Sequence, residues 1–281
     1  MRRLIITADD YGMCEVVDKA IDDCAAAGLL TSTNVIVNME DLKSVETLRE
    51  RHPQISVGMH WNVTAGKPVS VCPSLVNPKT GEFWKLKDFI SRFKNGYLVK
   101  QELRNELTAQ YETFKAMCGP ADYWNVHMNS QLDFKIFPFF NSLALELGMN
   151  KTRSFRRVYI TPSGIPGGLK GRIMEAVKKQ VIDIWFGRII PKTGTRMPDG
   201  RIMYFNSSDK TKNIHNVGRN VNWGGYNKTV ELVIHPATVT DYPGFGTLTT
   251  ERLAEWKMFT DNTTAAYFKQ EHIELVNFDV I

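Results

Sequence analysis

Leu4-Ile5-Ile6-Thr7-Ala8-Asp9-Asp10 carries an apolar run straight into two adjacent carboxylates. The run is continuous rather than alternating, which reads as a strand covered on both faces, as in parallel sheets. Three later stretches repeat the arrangement. Ile55-Ser56-Val57-Gly58-Met59 ends on His60, Tyr123-Trp124-Asn125-Val126 on His127, and Leu232-Val233-Ile234 on His235. Strands of a parallel α/β barrel point one way, so their C-terminal ends ring one mouth, where such folds carry their chemistry. The four ends would therefore converge although they lie far apart along the chain.

Working outward, Arg2 to Thr7 is the first strand, and Asp9 to Gly12 is its exit turn. Val16, Val17, Ala20, Ile21, Cys24 and Ala25 recur at helical spacing, with Gly28 placed to stop that helix. A strand over Thr31 to Val37, a helix over Leu42 to Arg51 and the strand to His60 follow. Ala65 to Tyr97 is punctuated by Pro and Gly and reads as a long functional loop with short elements. Beyond it come a helix from Val99 to Met117, the strand to His127 and a helix from Phe134 to Leu147. A short strand near Lys151 to Phe155 would bring Arg153 close to the mouth. Ile189 to Trp223 is irregular again and reads as a second insertion over the site. After the His235 strand, Thr249 to Phe268 is expected to be helical and His272 to Phe278 to form a last strand. No linker interrupts this alternation, so residues 1–281 are expected to form a single domain.

The chain has 281 residues, 43% hydrophobic and 23% charged, an ordinary globular composition with enough apolar material for a core. Net charge is +5, but the basic residues are scattered apart from Arg153, Arg156 and Arg157. That distribution offers no nucleic-acid stripe. The surplus is a solvated surface or a bias toward anionic substrates. Cys14, Cys24, Cys72 and Cys118 show neither CxxC spacing nor disulfide-scaffold density, so reduced thiols are expected, with Cys24 as a small core residue. No apolar stretch approaches the ~18 residues of a membrane span, and the first run is too short for a signal peptide. A cytoplasmic protein without membrane contact is the expectation.

Neighbouring side chains on an extended backbone diverge, so one of Asp9 and Asp10 can ligate a cation while the other stays free as a base. The alternative is that one of them caps the helix after Gly12. Gly12 offers an unusual turn that could aim both acids inward. His60 and His127 each read either as hydrogen-bonded structural histidines or, with an Asp, as ligands. Two imidazoles and a carboxylate suit Zn²⁺ or a similar divalent ion with positions left open for water. Mg²⁺ prefers oxygen ligands. His235 precedes Pro236, which marks the strand's end; it could be an acid near the ion or a surface histidine. Arg153 is better placed than Arg156 or Arg157 to hold a carboxylate near the mouth. His52, His215 and His272 receive no role. Trp61, Trp84, Trp124 and Trp223 could stack on a sugar ring or serve the core.

These residues also carry a resemblance. Thr7-Ala8-Asp9-Asp10-Tyr11-Gly12, Leu30-Thr31-Ser32-Thr33 with Val37-Asn38, Ser56 to Thr64 followed by Gly66-Lys67-Pro68, and Glu231 to Ala237 resemble successive motifs of the YdjC-like carbohydrate deacetylases. The resemblance spans nearly the whole chain in order. It implies a distorted (β/α) TIM-like barrel related to the NodB polysaccharide deacetylases, with loop insertions over the C-terminal mouth. It also implies one divalent metal ion, Mg²⁺ by family habit, held by Asp10, His60 and His127. Asp9 would be the general base, His235 the general acid and Arg153 the partner that orients Asp9. The substrate would be an acetylated sugar or oligosaccharide of chitooligosaccharide type, the product acetate, and the assembly a homodimer. One motif departs from the family. Asn125 stands where the family has Asp, and Asn129 and Gln131 stand where it has His, which bears on how the ligands are tuned. Two other readings stay open: a metal-dependent phosphoesterase or other amidohydrolase on the same scaffold, and a sugar-binding protein with weakened catalysis.

Overall fold

From Leu4 onward, every side chain of β1 (Arg2–Tyr11) is buried. Alternate residues of a strand face opposite sides, and the packing follows that rule. Leu4, Ile6 and Ala8 join the large apolar core, whereas Ile5 packs with Tyr123 and Phe278 in a separate small cluster, where the Tyr123 and Phe278 rings stack 3.7 Å apart. The structure is a computed structural model that describes residues 2–39, 42–159, 168–203, 214, 223, 228–246 and 248–281.

The other strands are β2 (Ser32–Val35), β3 (Ser56–Trp61), β4 (Trp124–Val126), β5 (Arg157–Tyr159), β6 (Gly200–Met203), β7 (Thr229–Ile234) and β8 (Ile273–Leu275). They form one curled sheet in the order β4-β3-β2-β1-β7-β6-β5, with β8 also on β1, and every pairing is parallel. β1 pairs with β7 through Arg3 to Ala8. Its other edge is shared, with β8 taking Arg2 to Leu4 and β2 taking Thr7 to Tyr11. That division distorts the barrel. Isolated bridges Trp124↔Thr152 and Lys151↔Arg196 tie β4 toward the approach to β6.

Helices clothe the outside: α1 (Glu15–Ala26), α2 (Lys43–Glu46), α3 (Leu48–Arg51), α4 (Leu86–Lys94), α5 (Lys100–Cys118), α6 (Phe137–Glu146), α7 (Gly168–Ile184), α8 (Thr250–Phe259) and α9 (Asn262–Gln270). α1 buries Val17, Ala20, Ile21, Cys24 and Ala25, the stripe its spacing announces. Trp61 leaves β3 outward, packs on Trp124 and Phe140, and donates Nε1–H to the Leu107 carbonyl of α5 at 2.8 Å. Each such apolar side chain taken from water stabilises the fold by roughly 1.5–3 kcal/mol. Among the described residues no helix is long and apolar enough to cross a membrane.

Several elements depart from the sequence expectation. The helix read over Leu42 to Arg51 is two short ones separated at Thr47. The one read over Thr249 to Phe268 is two, because the Asp261 carboxylate accepts the Thr263 amide at 2.8 Å and caps a new helix. The strand read at Lys151 to Phe155 is only a pair of bridges; the ladder resumes later, where Arg157 meets Arg201. β6 lies inside the stretch read as irregular between Ile189 and Trp223, much of the rest of which, His215 included, falls outside the described residues. The loop from Ala65 is pinned by the buried Glu106 of α5, whose carboxylate accepts the amides of Val69 and Ser70 at 3.0 and 2.7 Å.

Candidate active site

Period-two alternation turns Asp9 into the ring, on the same side as Ile5 and Thr7. The next residue would face outward if the strand stayed regular. It does not: Asp10 has φ 77°, and the β1–β2 register shifts between Ala8 and Tyr11. Aspartate is among the few residues that tolerate this left-handed region. The break lets both carboxylates serve the inner side. Gly12 completes the turn at φ +86°, where a Cβ would lie 2.5 Å from the Ile36 carbonyl oxygen. Neither acid caps α1. The residue before that helix is Cys14, without a side-chain bond, and the Gly12 amide donates to Asp18 Oδ1 at 2.7 Å.

The same alternation sends Val57, Met59 and Trp61 of β3 into the outer core and leaves Gly58 and His60 inside. Gly58 makes room for the polar interior: a Cβ there would meet Asn34 Oδ1 and the Tyr123 ring, both at 2.6 Å. On β4, Trp124 and Val126 face out, and Asn125 faces in toward His60. His127 follows as the strand yields to a tight segment in which Met128 and Asn129 have φ 58° and 50°.

Two carboxylate centres result. Asp10 Oδ1 lies 3.1 Å from His127 Nδ1 and 3.5 Å from His60 Nε2, and the two imidazole rings are 5.5 Å apart at 84°. One ligand atom from each of these three residues falls within 4.8 Å of the others. Arg252 Nη2 donates to Asp10 Oδ2 at 2.8 Å, so the other carboxylate oxygen is the one turned to the imidazoles. Asp9 is gripped by a guanidinium fork, with Arg153 Nη1 donating to Oδ2 at 2.8 Å and Nη2 to Oδ1 at 2.6 Å. Asn34 Nδ2 donates to the same Oδ1 at 2.5 Å, and His235 Nε2 stands 3.7 Å from Oδ2. Arg153 Nε reaches back to Glu231 at 3.0 Å. The six residues named from sequence thus fall into two adjoining groups, Asp10 with His60 and His127, and Asp9 with Arg153 and His235.

Burial and charge act against each other here. Burial pushes Asp9 up, but the Arg153 guanidinium, with help from His60 and His235, holds it well below the usual carboxylate range. Asp10 is likewise pushed up by burial and brought well below by its hydrogen bond to His127. Burial lowers His60, yet bonding to Asp10 leaves it raised overall. His235 goes the other way. Burial brings it down to about 4, with Arg252 and Arg153 adding to the fall and the two aspartates only partly opposing it.

The donor set fits a divalent ion: two imidazoles and one carboxylate converge, and a second carboxylate waits beside them without joining. Sequence reasoning gave no role to Arg252, Glu231, Asn34 and Glu255, the last of which accepts the His235 amide at 2.6 Å. Glu231 could have been found, because positions 231, 233 and 235 share a strand face. Arg252 could not, since nothing in its spacing on α8 points 242 residues back to Asp10. Trp61 and Trp124 are fully buried in the outer core and offer no face to a sugar; Trp84 is capped by Arg92, 4.0 Å over its ring. Arg156 turns to Asp183 at 3.4 Å. The Arg157 side chain is outside what is described.

The family described as YdjC-like protein matches residues 3–270. A chitooligosaccharide deacetylase of Yersinia enterocolitica is 33% identical over 144 residues, 51% of this chain and 56% of that relative. A carbohydrate deacetylase of Halalkalibacterium halodurans is 29% identical over 164 residues, 58% of this chain and 67% of the relative. The chain spans about half the length of the first of these curated relatives. A crystal structure from Enterococcus faecalis V583, provisionally named a cellobiose-phosphate cleavage protein, superposes with a TM-score of 0.73 at 21% identity, covering 99% of this chain and 98% of the other. That likeness speaks to the fold.

Proposed function

The chain belongs to the YdjC-like protein family, and we propose that it removes an acetyl group from an N-acetylated sugar or small chitooligosaccharide by metal-assisted hydrolysis. One observation carries the reading: Asp10, His60 and His127 offer converging ligand atoms, and the neighbouring Asp9 carboxylate is clamped by Arg153. The deacetylases among its relatives supply the substrate class. A curled parallel sheet running from β1 to β8 supports treating residues 1–281 as one domain.

Asp10, His60 and His127 would hold the ion, which when bound supplies Lewis acidity for the acetyl carbonyl and for the charge that develops on its oxygen. The two imidazoles favour Zn²⁺ or a similar ion over the Mg²⁺ that the family resemblance implies. Asp9 takes a proton from the attacking water, and the Arg153 fork fixes both carboxylate oxygens so that one orientation is kept. A carboxylate held so low is a weak base, so the proton does not rest there. His235 is neutral before the reaction and can act as an acid only once a proton arrives. Asp9 Oδ2, 3.7 Å from its Nε2, is a source. The loaded imidazole then protonates the amine nitrogen as the C–N bond breaks, because an amine leaves poorly without that proton. Acetate and the free amino sugar result, and both groups return to their starting charge.

The test is acetate release from N-acetylglucosamine oligomers, with bound metal measured on the same samples. Asp10→Ala and His60→Ala are expected to lose metal and acetate release together, and His235→Ala to keep metal and lose turnover. A fully active His235→Ala would remove the acid assignment. Phosphate release without acetate release would favour the phosphoesterase reading; tight oligosaccharide binding without turnover under any divalent ion would favour the sugar-binding one. A homodimer and a cytoplasmic location belong to the same proposal and are checked by mass in solution and by cell fractionation.

A further inference from the structure

Asn125 is fully buried on β4 and pairs across the ladder with His60. Both ends of its amide are in demand. One end touches His60 Nδ1. The other faces three donors, Arg153 Nη1 and Nη2 at 3.2 and 3.1 Å and Asn34 Nδ2 at 2.8 Å. Each of those nitrogens gives one hydrogen to Asp9 and has a second to place. An amide owns a single oxygen. The orientation that satisfies most neighbours turns that oxygen to Arg153 and Asn34 and leaves the NH₂ donating to His60 Nδ1. A neutral imidazole that accepts at Nδ1 carries its hydrogen on Nε2. Nε2 is the nitrogen that faces Asp10, and a nitrogen holding a hydrogen cannot ligate a cation.

We infer that Asn125 locks His60 of the ion-free protein in the Nε2–H tautomer and so weakens the metal site, an inference that rests on Asp10, His60 and His127 being its ligands. Ligation through Nε2 moves the hydrogen to Nδ1, where it meets the amide NH₂. Turning the amide over relieves His60 but points the NH₂ at Arg153 and Asn34. Either way a buried donor faces a donor, an arrangement that is costly away from water. A carboxylate at this position has an acceptor at each end and would serve both neighbours at once. Asn125 is therefore a positioning residue that sets how tightly this particular chain holds its ion.

Zn²⁺ affinity, measured by competition with a chromophoric chelator at fixed pH, and the His60 tautomer, read by nitrogen-15 NMR of the ion-free full chain, test this together. Asn125→Asp is expected to tighten zinc binding by about 10- to 100-fold. At a pH high enough for the raised His60 to be neutral, the imidazole of the unaltered chain is expected to be Nε2–H without zinc and Nδ1–H with it. An ion-free Nδ1–H tautomer overturns the inference, and that measurement decides even if the variant does not fold. Zinc bound equally by both chains overturns this inference alone, whereas zinc bound by neither removes the metal-site reading and the inference with it.

Discussion

Glu231 and Leu232 are neighbours on β7, equally buried, and held in place by opposite physics. Leu232 faces outward into the apolar layer between sheet and helices, where an apolar side chain of similar volume is tolerated to within about 1.5 kcal/mol. Glu231 faces the ring interior and is admitted only because Arg153 meets it at 3.0 Å. The contrast recurs on every strand near the site: Ala8 against Asp9, Met59 against His60, Trp124 against Asn125. Outside, burial itself stabilises. Inside, burial alone would cost several kcal/mol per ion, and it is the pairing of Asp9, Glu231 and Arg153 that makes the charges tolerable. The interior is therefore built for positioning charge, and stability comes chiefly from the other face.

Breaking the inner pairing should produce the largest effect. Arg153→Leu leaves two buried carboxylates without their cation, and urea unfolding should register a loss of about 3–5 kcal/mol. In the fraction that folds, acetate release should fall by roughly 10²-fold or more, since the base loses its orientation. A variant that kept both stability and turnover would erase the distinction between the two faces.

Leu232→Ala probes the outer face one residue from Glu231. It should cost about 2–5 kcal/mol in the same unfolding measurement. The zinc affinity and kcat of the folded protein should not change. A selective loss of kcat would mean that the two faces are mechanically coupled.

Glu255 sharpens the comparison at the edge of the interior, where the effect is spread over several pH units and is small at any one step. Burial pushes its carboxyl up to about 8 against an ordinary 4.5, although the His235 amide and Arg252 oppose the shift. Between those values the folded protein holds a proton that the unfolded chain has released. Stability from this group is therefore complete below about pH 4.5 and lost as pH rises toward 8, with a slope of at most ~1.4 kcal/mol per pH unit. Glu255→Gln should flatten that segment of the stability–pH curve and raise the unfolding midpoint above pH 8. Superimposable curves for the two chains would show that this carboxyl ionises normally.

The strands and their ends were legible because they rest on local rules. An apolar run ending on Asp9-Asp10, His60, His127 or His235 announces both a buried parallel strand and a terminus turned to the candidate site, and the helical stripe of α1 is written in its spacing. The misreadings have local causes too. Asp261 caps a helix inside a stretch whose apolar pattern continues across it, and Lys151-Thr152 joins the sheet for two residues only. Asp10 was harder. A regular strand separates adjacent carboxylates, and the left-handed backbone that brings both to the inner side is a property of the bulge against β2.

What the amino-acid order determined by itself is the α/β class, the parallel strands and the list of side chains able to bind a cation or move a proton. These follow from periodicity and residue chemistry within a few positions. Only the tertiary structure decided which charge answers which: Arg252 with Asp10 across 242 residues, Arg153 with Asp9 across 144, and Asn125 caught between His60 and Arg153. Such pairings depend on curling the sheet and packing helices around it, which brings remote segments within hydrogen-bond distance, and no local pattern encodes a distance across that curl.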